Sequence, residues 1–498
     1  MLTALLTLHL AAAPAPSAGA ASPGDEPARP PATPSTGGAT PAATTPAAAP
    51  EVVLDALLPC GTRVLTARDM SLPVAAVTLV VEVGSEDDPP ELPGLVHALA
   101  YQVEQGNREL RPAEAIATAQ DAGGAYSLAT GLAQVRFESV VPTSRLDAVL
   151  WLESQRLRFP TAAPERWQQS LAWAASDERS GSRLRPEALA FVHGAAGLGH
   201  DGRAVSKPLA ALAEPALAAQ LASKFSYPRA TLIVVGPESP ERLLERITPL
   251  FVDLPQSPRN VPVRRLGPRP QLSGAPGAAA PGGPAPGAMS PGTASPAPGA
   301  MSPGTASPAP GAMSPGTGVT APLSRQRGHT FVWPVPPTAA AGAWATALCR
   351  AINRQKKAPE PEEARKARLS CDLEADPRRA VLILRPSNAD DPWALVRARL
   401  ARLAPGGADA PLLQAQAAAV AQALRLAVRT PHGLARQLAL APVEFAPNSG
   451  TPHFRQQHRV EEITGLAALA DPTALAREAP GLLRVEDAVV LTFPEARP

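Results

Sequence analysis

Aromatic side chains make up only 4% of this 498-residue chain, so its cores must be filled by leucine, valine and alanine. Lysine is scarcer still: five of the 46 basic residues. Net charge is +2, which excludes a chain-wide nucleic-acid footprint. The basic run Arg350–Arg368 is interleaved with glutamates and has no aromatic residue on which a base would stack, so it reads as a solvated helix or loop. Three cysteines (Cys60, Cys349 and Cys371) are too few for a disulfide-rich scaffold, and no two have metal-ligand spacing. Cys349 and Cys371 fall in one half of the chain and can pair if it is exported; the plain expectation is three buried thiols. No stretch approaches the ~20 apolar residues of a membrane span.

Proline is abundant, 61 residues with 37 glycines, and it concentrates in two stretches that divide the chain. Residues 1–22 begin with a short apolar run followed by small residues, a signal-peptide pattern without the usual lysine or arginine before it. Residues 23–50 continue as a disordered Pro/Ala-rich arm. A first domain is expected at 51–257 and a second at 326–498. Between them, 258–325 carries a repeat of period twelve that sets Met289, Met301 and Met313 in register. The repeat has no apolar face to bury and should act as an extended spacer. Export to the periplasm or cell envelope follows from the N-terminal pattern.

Hydrophobic periodicity predicts strands at 52–58, 62–66, 74–83, 133–141 and 230–235. Helices are predicted at 93–106, 112–122, 143–156, 164–180, 207–224 and 239–250. The second domain should begin with a strand at 330–336. A helix at 339–353, a strand at 380–385, helices at 391–403, 411–428, 431–440 and 472–478, and a last strand near 488–494 follow. The pattern implies an α+β fold of two related domains, each an antiparallel sheet packed with helices.

The chemistry-bearing feature is Gly94-Leu-Val-His-Ala-Leu-Ala-Tyr-Gln-Val-Glu-Gln105. His97 and Tyr101 stand four apart, on one helix face. Around them run Leu58-Pro-Cys-Gly-Thr-Arg-Val, Ser71-Leu-Pro and Val83-Gly-Ser-Glu-Asp. Later come Gly123-Gly-Ala-Tyr-Ser-Leu-Ala-Thr130, Gly199-His-Asp-Gly-Arg203 and Tyr227-Pro-Arg-Ala-Thr-Leu-Ile-Val-Val-Gly236. In order and spacing these segments resemble the pitrilysin/insulinase family of inverted H-x-x-E-H zinc peptidases, processing-peptidase-like members included. The resemblance implies a metallopeptidase-like sandwich and places His97 at the first zinc ligand. Ala100 replaces the general-base glutamate and Tyr101 the second histidine. Counting along the chain puts the third ligand at Glu178, the supporting glutamate at Leu171 and the substrate-strand asparagine at Ser127. The second half lacks the family's Arg/Tyr substrate clamp, since no tyrosine follows Tyr227.

One histidine and one glutamate do not make a three-ligand catalytic site, so His97, Tyr101 and Glu178 read as vestigial ligand positions. No catalytic residue and no cofactor is expected; zinc would bind only if the degenerate site were rewired. A displaced set of His97, Tyr101 and Glu104 would need a tyrosinate ligand and a second imidazole that the vicinity lacks. The leading expectation is a pseudo-enzyme, the partner subunit of an active homologue with an intact H-x-x-E-H motif, or a subunit that binds an extended peptide at a sheet edge. The alternatives are a stand-alone envelope binding or scaffold protein and a residual zinc metalloendopeptidase. No nucleic-acid partner is expected.

Overall fold

The computed structural model describes residues 52–158, 161–179, 184–193, 200–259, 328–336, 338–355, 367–376, 379–440, 455–469 and 489–493. The first half contributes strands β1 (Val52–Leu57), β2 (Arg63–Arg68), β3 (Val74–Val81), β4 (Ala125–Thr130), β5 (Val135–Pro142) and β6 (Ala230–Gly236). Its helices are α1 (Leu95–Glu104), α2 (Glu114–Asp121), α3 (Leu146–Arg156), α4 (Pro164–Arg179), α5 (Pro186–His193), α6 (Lys207–Ala210), α7 (Glu214–Lys224) and α8 (Pro240–Ile247). The second half adds strands β7 (Gly328–Val335), β8 (Arg368–Asp376), β9 (Arg379–Ser387), β10 (Arg455–Arg459) and β11 (Val489–Phe493). With them come helices α9 (Ala339–Arg354), α10 (Pro392–Leu403), α11 (Ala410–Ala427), α12 (Pro431–Ala439) and α13 (Val460–Thr464).

Two sheets result, ordered β10-β1-β2-β6-β3-β5-β4 and β11-β7-β9-β8. All pairings are antiparallel except β2 with β6. The near-continuous apolar runs of β3 and β6 suit their central positions, where both faces are covered. On one face of the larger sheet, Leu79, Phe137 and Leu232 pack with Leu99, Leu150 and Trp167 from the helices of the first half. On the other face, Val53, Leu65, Ile233 and Val235 share a core with Phe331, Trp333, Val420 and Leu438 from the second half. The first sheet therefore has helices on both faces, with α12 lying across β3 and β6.

The returning chain also completes the first sheet. β10 pairs with β1, from Val52 opposite Arg459 to Ala56 opposite Arg455. Buried Asp55 on β1 accepts from Arg63 Nε at 2.9 Å and Nη2 at 2.8 Å, and lies 3.4 Å from His458 Nε2 on β10. Burial alone would raise the Asp55 carboxyl, but the hydrogen bonds from His458 and Arg63 outweigh it and hold it below the usual range.

Several expectations change in detail. The predicted helix 207–224 divides into α6 and α7, with Pro215 near the start of the second. Strands β8 and β10 and helix α5 are additional. The arms 1–50 and 258–325 lie outside the described residues, except Pro258 and Arg259; the Arg259 guanidinium donates to the Ala230 carbonyl at 2.7 Å and to Thr231 Oγ1 at 2.9 Å. The predicted helix 472–478 also lies outside them.

The cysteines are not three separate thiols. Cys349 on α9 and Cys371 on β8 form a disulfide, and Cys60 is buried and free. The partners are 22 residues apart in sequence, so the bridge removes loop entropy from the unfolded chain. A Cys349→Ser, Cys371→Ser protein should lose about 3 kcal/mol against oxidised wild type, measured by denaturant unfolding of both.

Candidate functional site

The start of α1 is anchored before any reactive side chain is placed. Gly94 has φ +85°, and a Cβ there would meet the Ala204 carbonyl oxygen at 1.9 Å, so only glycine fits. Asp88 accepts from the Gly94 amide at 2.8 Å and the Val96 amide at 2.7 Å, satisfying two donors at the helix start. His200 Nε2 lies 3.2 Å from the same carboxylate. Burial nevertheless leaves the Asp88 carboxyl raised, against the opposing bonds from His200, Val96 and Gly94. The loop bearing His200 and Arg203 is thereby docked on the end of α1.

Helix α1 then turns His97 and Tyr101 toward α4. His97 is 2% exposed; its Nδ1 is 3.1 Å from Thr130 Oγ1 on β4, and its Nε2 is 3.5 Å from Asp177 Oδ2 on α4. The second distance is an ion-pair contact rather than a well-formed hydrogen bond, and the Ala174 backbone on α4 gives the ring a further partner. Burial pushes the imidazole down to about 4, outweighing the opposing pull of Asp177, with Arg203 adding to the fall. His97 is therefore neutral near pH 7. Tyr101 stands edge-on to His97 with ring centres 5.3 Å apart. Its phenol is pushed above its ordinary value by burial and by Asp177, to which it is hydrogen-bonded.

The His97 depression has a sign that stability measurements reveal. Between the ordinary value of 6.5 and the folded value of about 4, the unfolded chain binds the proton and the folded chain does not. This site therefore weakens the fold as pH falls through that window, by about 3 kcal/mol in full. Denaturant unfolding across the window should show a shallower pH slope for His97→Gln than for wild type.

Among the described side chains, the remaining predicted positions are not gathered into a ligand set. Ala100 is fully buried and offers neither donor nor acceptor. The carboxylate facing His97 is Asp177, one residue before Glu178; the Glu178 side chain lies outside the described residues. Leu171 is a core residue. Ser127 Oγ donates to Glu138 Oε2 at 3.1 Å. Glu104 turns away from His97: it accepts from Arg156 Nη1 at 2.8 Å and from the Tyr126 hydroxyl, so the displaced set does not assemble.

Sequence reasoning did not assign Asp177, Thr130, Arg203 or Glu374 to this place. The Gly199–Arg203 segment pointed to the right loop without giving Arg203 a role. Arg203 Nη2 donates to the Thr130 carbonyl at 2.6 Å. Burial lowers its guanidinium, with Asp177 and Glu374 opposing. Glu374 arrives on β8 of the other sheet, so both halves of the chain meet here. Further ion pairs join them: Arg385 to Glu187 at 2.8 Å and Arg185 to Asp372 at 3.1 Å.

Among the described side chains, which do not include that of Glu178, the donors around His97 do not fit a catalytic zinc. A neutral imidazole, one carboxylate and a phenol held protonated are a poor donor set. Among the described residues, no three His, Cys, Asp or Glu side chains form a group able to hold a metal ion.

No family profile matches the sequence, and no curated protein matches it at the sequence level. Solved structures do. A protease from Helicobacter pylori superposes with a TM-score of 0.60 at 12% identity, over 90% of this chain and 100% of that one. The periplasmic protease PqqL from Escherichia coli gives 0.56 at 15% identity, over 88% of this chain and 47% of PqqL. A mutant of the ferredoxin protease FusC, solved in complex with Arabidopsis ferredoxin, gives 0.57 at 15% identity over 91% and 49%. The chain thus spans the whole of the first but about half the length of the other two. Pitrilysin itself superposes at 0.53 with 13% identity. With its two largely antiparallel sheets packed with helices and this set of structural neighbours, the protein has the pitrilysin-like peptidase fold.

Proposed function

We propose that this chain is a non-catalytic, peptidase-like protein that serves an active zinc peptidase as its partner subunit and receives extended peptide at a sheet edge. The observation that carries the reading is Ala100 on α1, which is buried and which the resemblance aligns with the general base. A methyl group neither accepts a proton nor orients water. Tyr101 beside it stays protonated and adds no second imidazole. The surrounding architecture is nonetheless intact, which suits a subunit kept for shape and binding. PqqL is a periplasmic protease, and the ferredoxin protease FusC was solved in complex with ferredoxin; both favour peptide or protein ligands for this fold. The Cys349–Cys371 bridge favours an oxidising compartment outside the cytoplasm. Among the described residues no helix is long and apolar enough to cross a membrane.

Native affinity purification of the tagged chain, with mass spectrometry of what accompanies it, tests the partner. A near-equimolar homologue bearing an intact H-x-x-E-H motif is the expected result. Recovery of the chain alone would replace the subunit reading by a stand-alone envelope binding protein.

A further inference from the structure

Among the described residues, β4 is an edge strand of the seven-stranded sheet. It pairs with β5 from Ala125 opposite Val140 to Thr130 opposite Val135. The hairpin closes where the Gly131 amide donates to the Gln134 carbonyl at 2.8 Å. Bonded and unbonded pairs alternate along an antiparallel ladder, so Ala129, Ser127 and Ala125 direct their amides and carbonyls at β5. Those of Tyr126, Leu128 and Thr130 point to the free side.

This free side is stopped at both ends. Gly124, the next residue in the outward set, donates its amide to the Ala119 carbonyl at 2.8 Å. At the other end the outward Thr130 carbonyl accepts Arg203 Nη2 at 2.6 Å. Between the stops, the backbone groups of Tyr126 and Leu128 have no strand partner among the described residues. Their side chains are committed elsewhere, Tyr126 to Glu104 and Leu128 to the core under α1. Only main chain is on offer, which suits strand addition.

We propose that Arg203 is a register stop: by occupying the Thr130 carbonyl, it limits an added peptide to a short window centred on Tyr126 and Leu128. A strand spanning two outward residues and their flanks is about five residues long. A guanidinium suits the task because its planar fork holds a donor rigidly at the carbonyl. Asp177 and Glu374 act on that charge from α4 and from the opposite sheet. The inference rests on the peptide-docking reading above.

The test uses the full chain and a ladder of acetylated, amidated peptides of alternating valine and threonine, from about four to about ten residues. Affinity is read by fluorescence anisotropy, and protection by amide hydrogen exchange over β4. Wild type should protect Tyr126 and Leu128 and stop gaining affinity beyond about five residues. Arg203→Ala should keep that protection yet tighten about threefold for one further residue pair, the one that reaches Thr130 where the hairpin ends. Glu374→Gln retains the guanidinium, and should show a smaller extension of the same kind if Arg203→Ala folds poorly. Identical length profiles in wild type and both variants would overturn the stop and leave docking standing. No binding and no β4 protection in any of them would overturn docking and the stop together.

Discussion

Replacing Arg156 with alanine is expected to destabilise the protein by about 3–5 kcal/mol, among the largest losses available to a single substitution. Arg156 is 3% exposed and lies between two buried carboxylates. Its Nε and Nη2 donate to Glu153 at 2.6 and 2.9 Å, and its Nη1 donates to Glu104 at 2.8 Å. The guanidinium carbon also sits 4.5 Å from the centre of the Phe137 ring. Truncation leaves Glu104 and Glu153 buried without their cation. Burial already raises the Glu104 carboxyl, against the opposing Arg156 charge; losing that charge raises it further. Protonation at acid pH should then recover part of the loss, so the gap between variant and wild type narrows as pH falls. Denaturant unfolding at neutral and acid pH checks both the size and the sign.

Restoring the missing groups should produce the largest functional change. An Ala100→Glu, Tyr101→His protein regains an imidazole one helical turn from His97, on the face that Asp177 already addresses at 3.5 Å. Outer-shell partners alone change metal affinity by about 10–100-fold, and a direct ligand is worth more. Zinc affinity should therefore rise at least about a hundredfold over wild type, read by competition with a chromogenic chelator. Tyr101→His alone should deliver most of this gain, because Ala100→Glu supplies a base rather than a ligand. An unchanged affinity in the double variant would mean that the backbone, and not only the side chains, has left the family geometry.

Much of this was legible because the relevant signals are local. The apolar runs of β3 and β6 and the spacing within α1 directly encode central strands and a one-faced helix. β10 was not legible: Arg-Gln-Gln-His-Arg has no apolar residue, and it becomes a strand only because β1 offers an edge to it. β8 was legible after all: Leu369, Cys371, Leu373 and Ala375 alternate with Ser370, Asp372, Glu374 and Asp376, the period-two pattern of a half-buried strand. In the site, counting residues led to Glu178, whereas the helix turns Asp177 to His97. Arg203 and Glu374 are distant in sequence, and nothing in either segment announces their meeting.

On the proposed reading, this chain keeps the peptidase fold without the chemistry. Elemental analysis of the purified, zinc-exposed and desalted protein, paired with an assay on unstructured peptide substrates, tests it most directly. Zinc far below one ion per chain and no cleavage is the predicted result. Stoichiometric zinc together with cleavage that His97→Ala abolishes would contradict it.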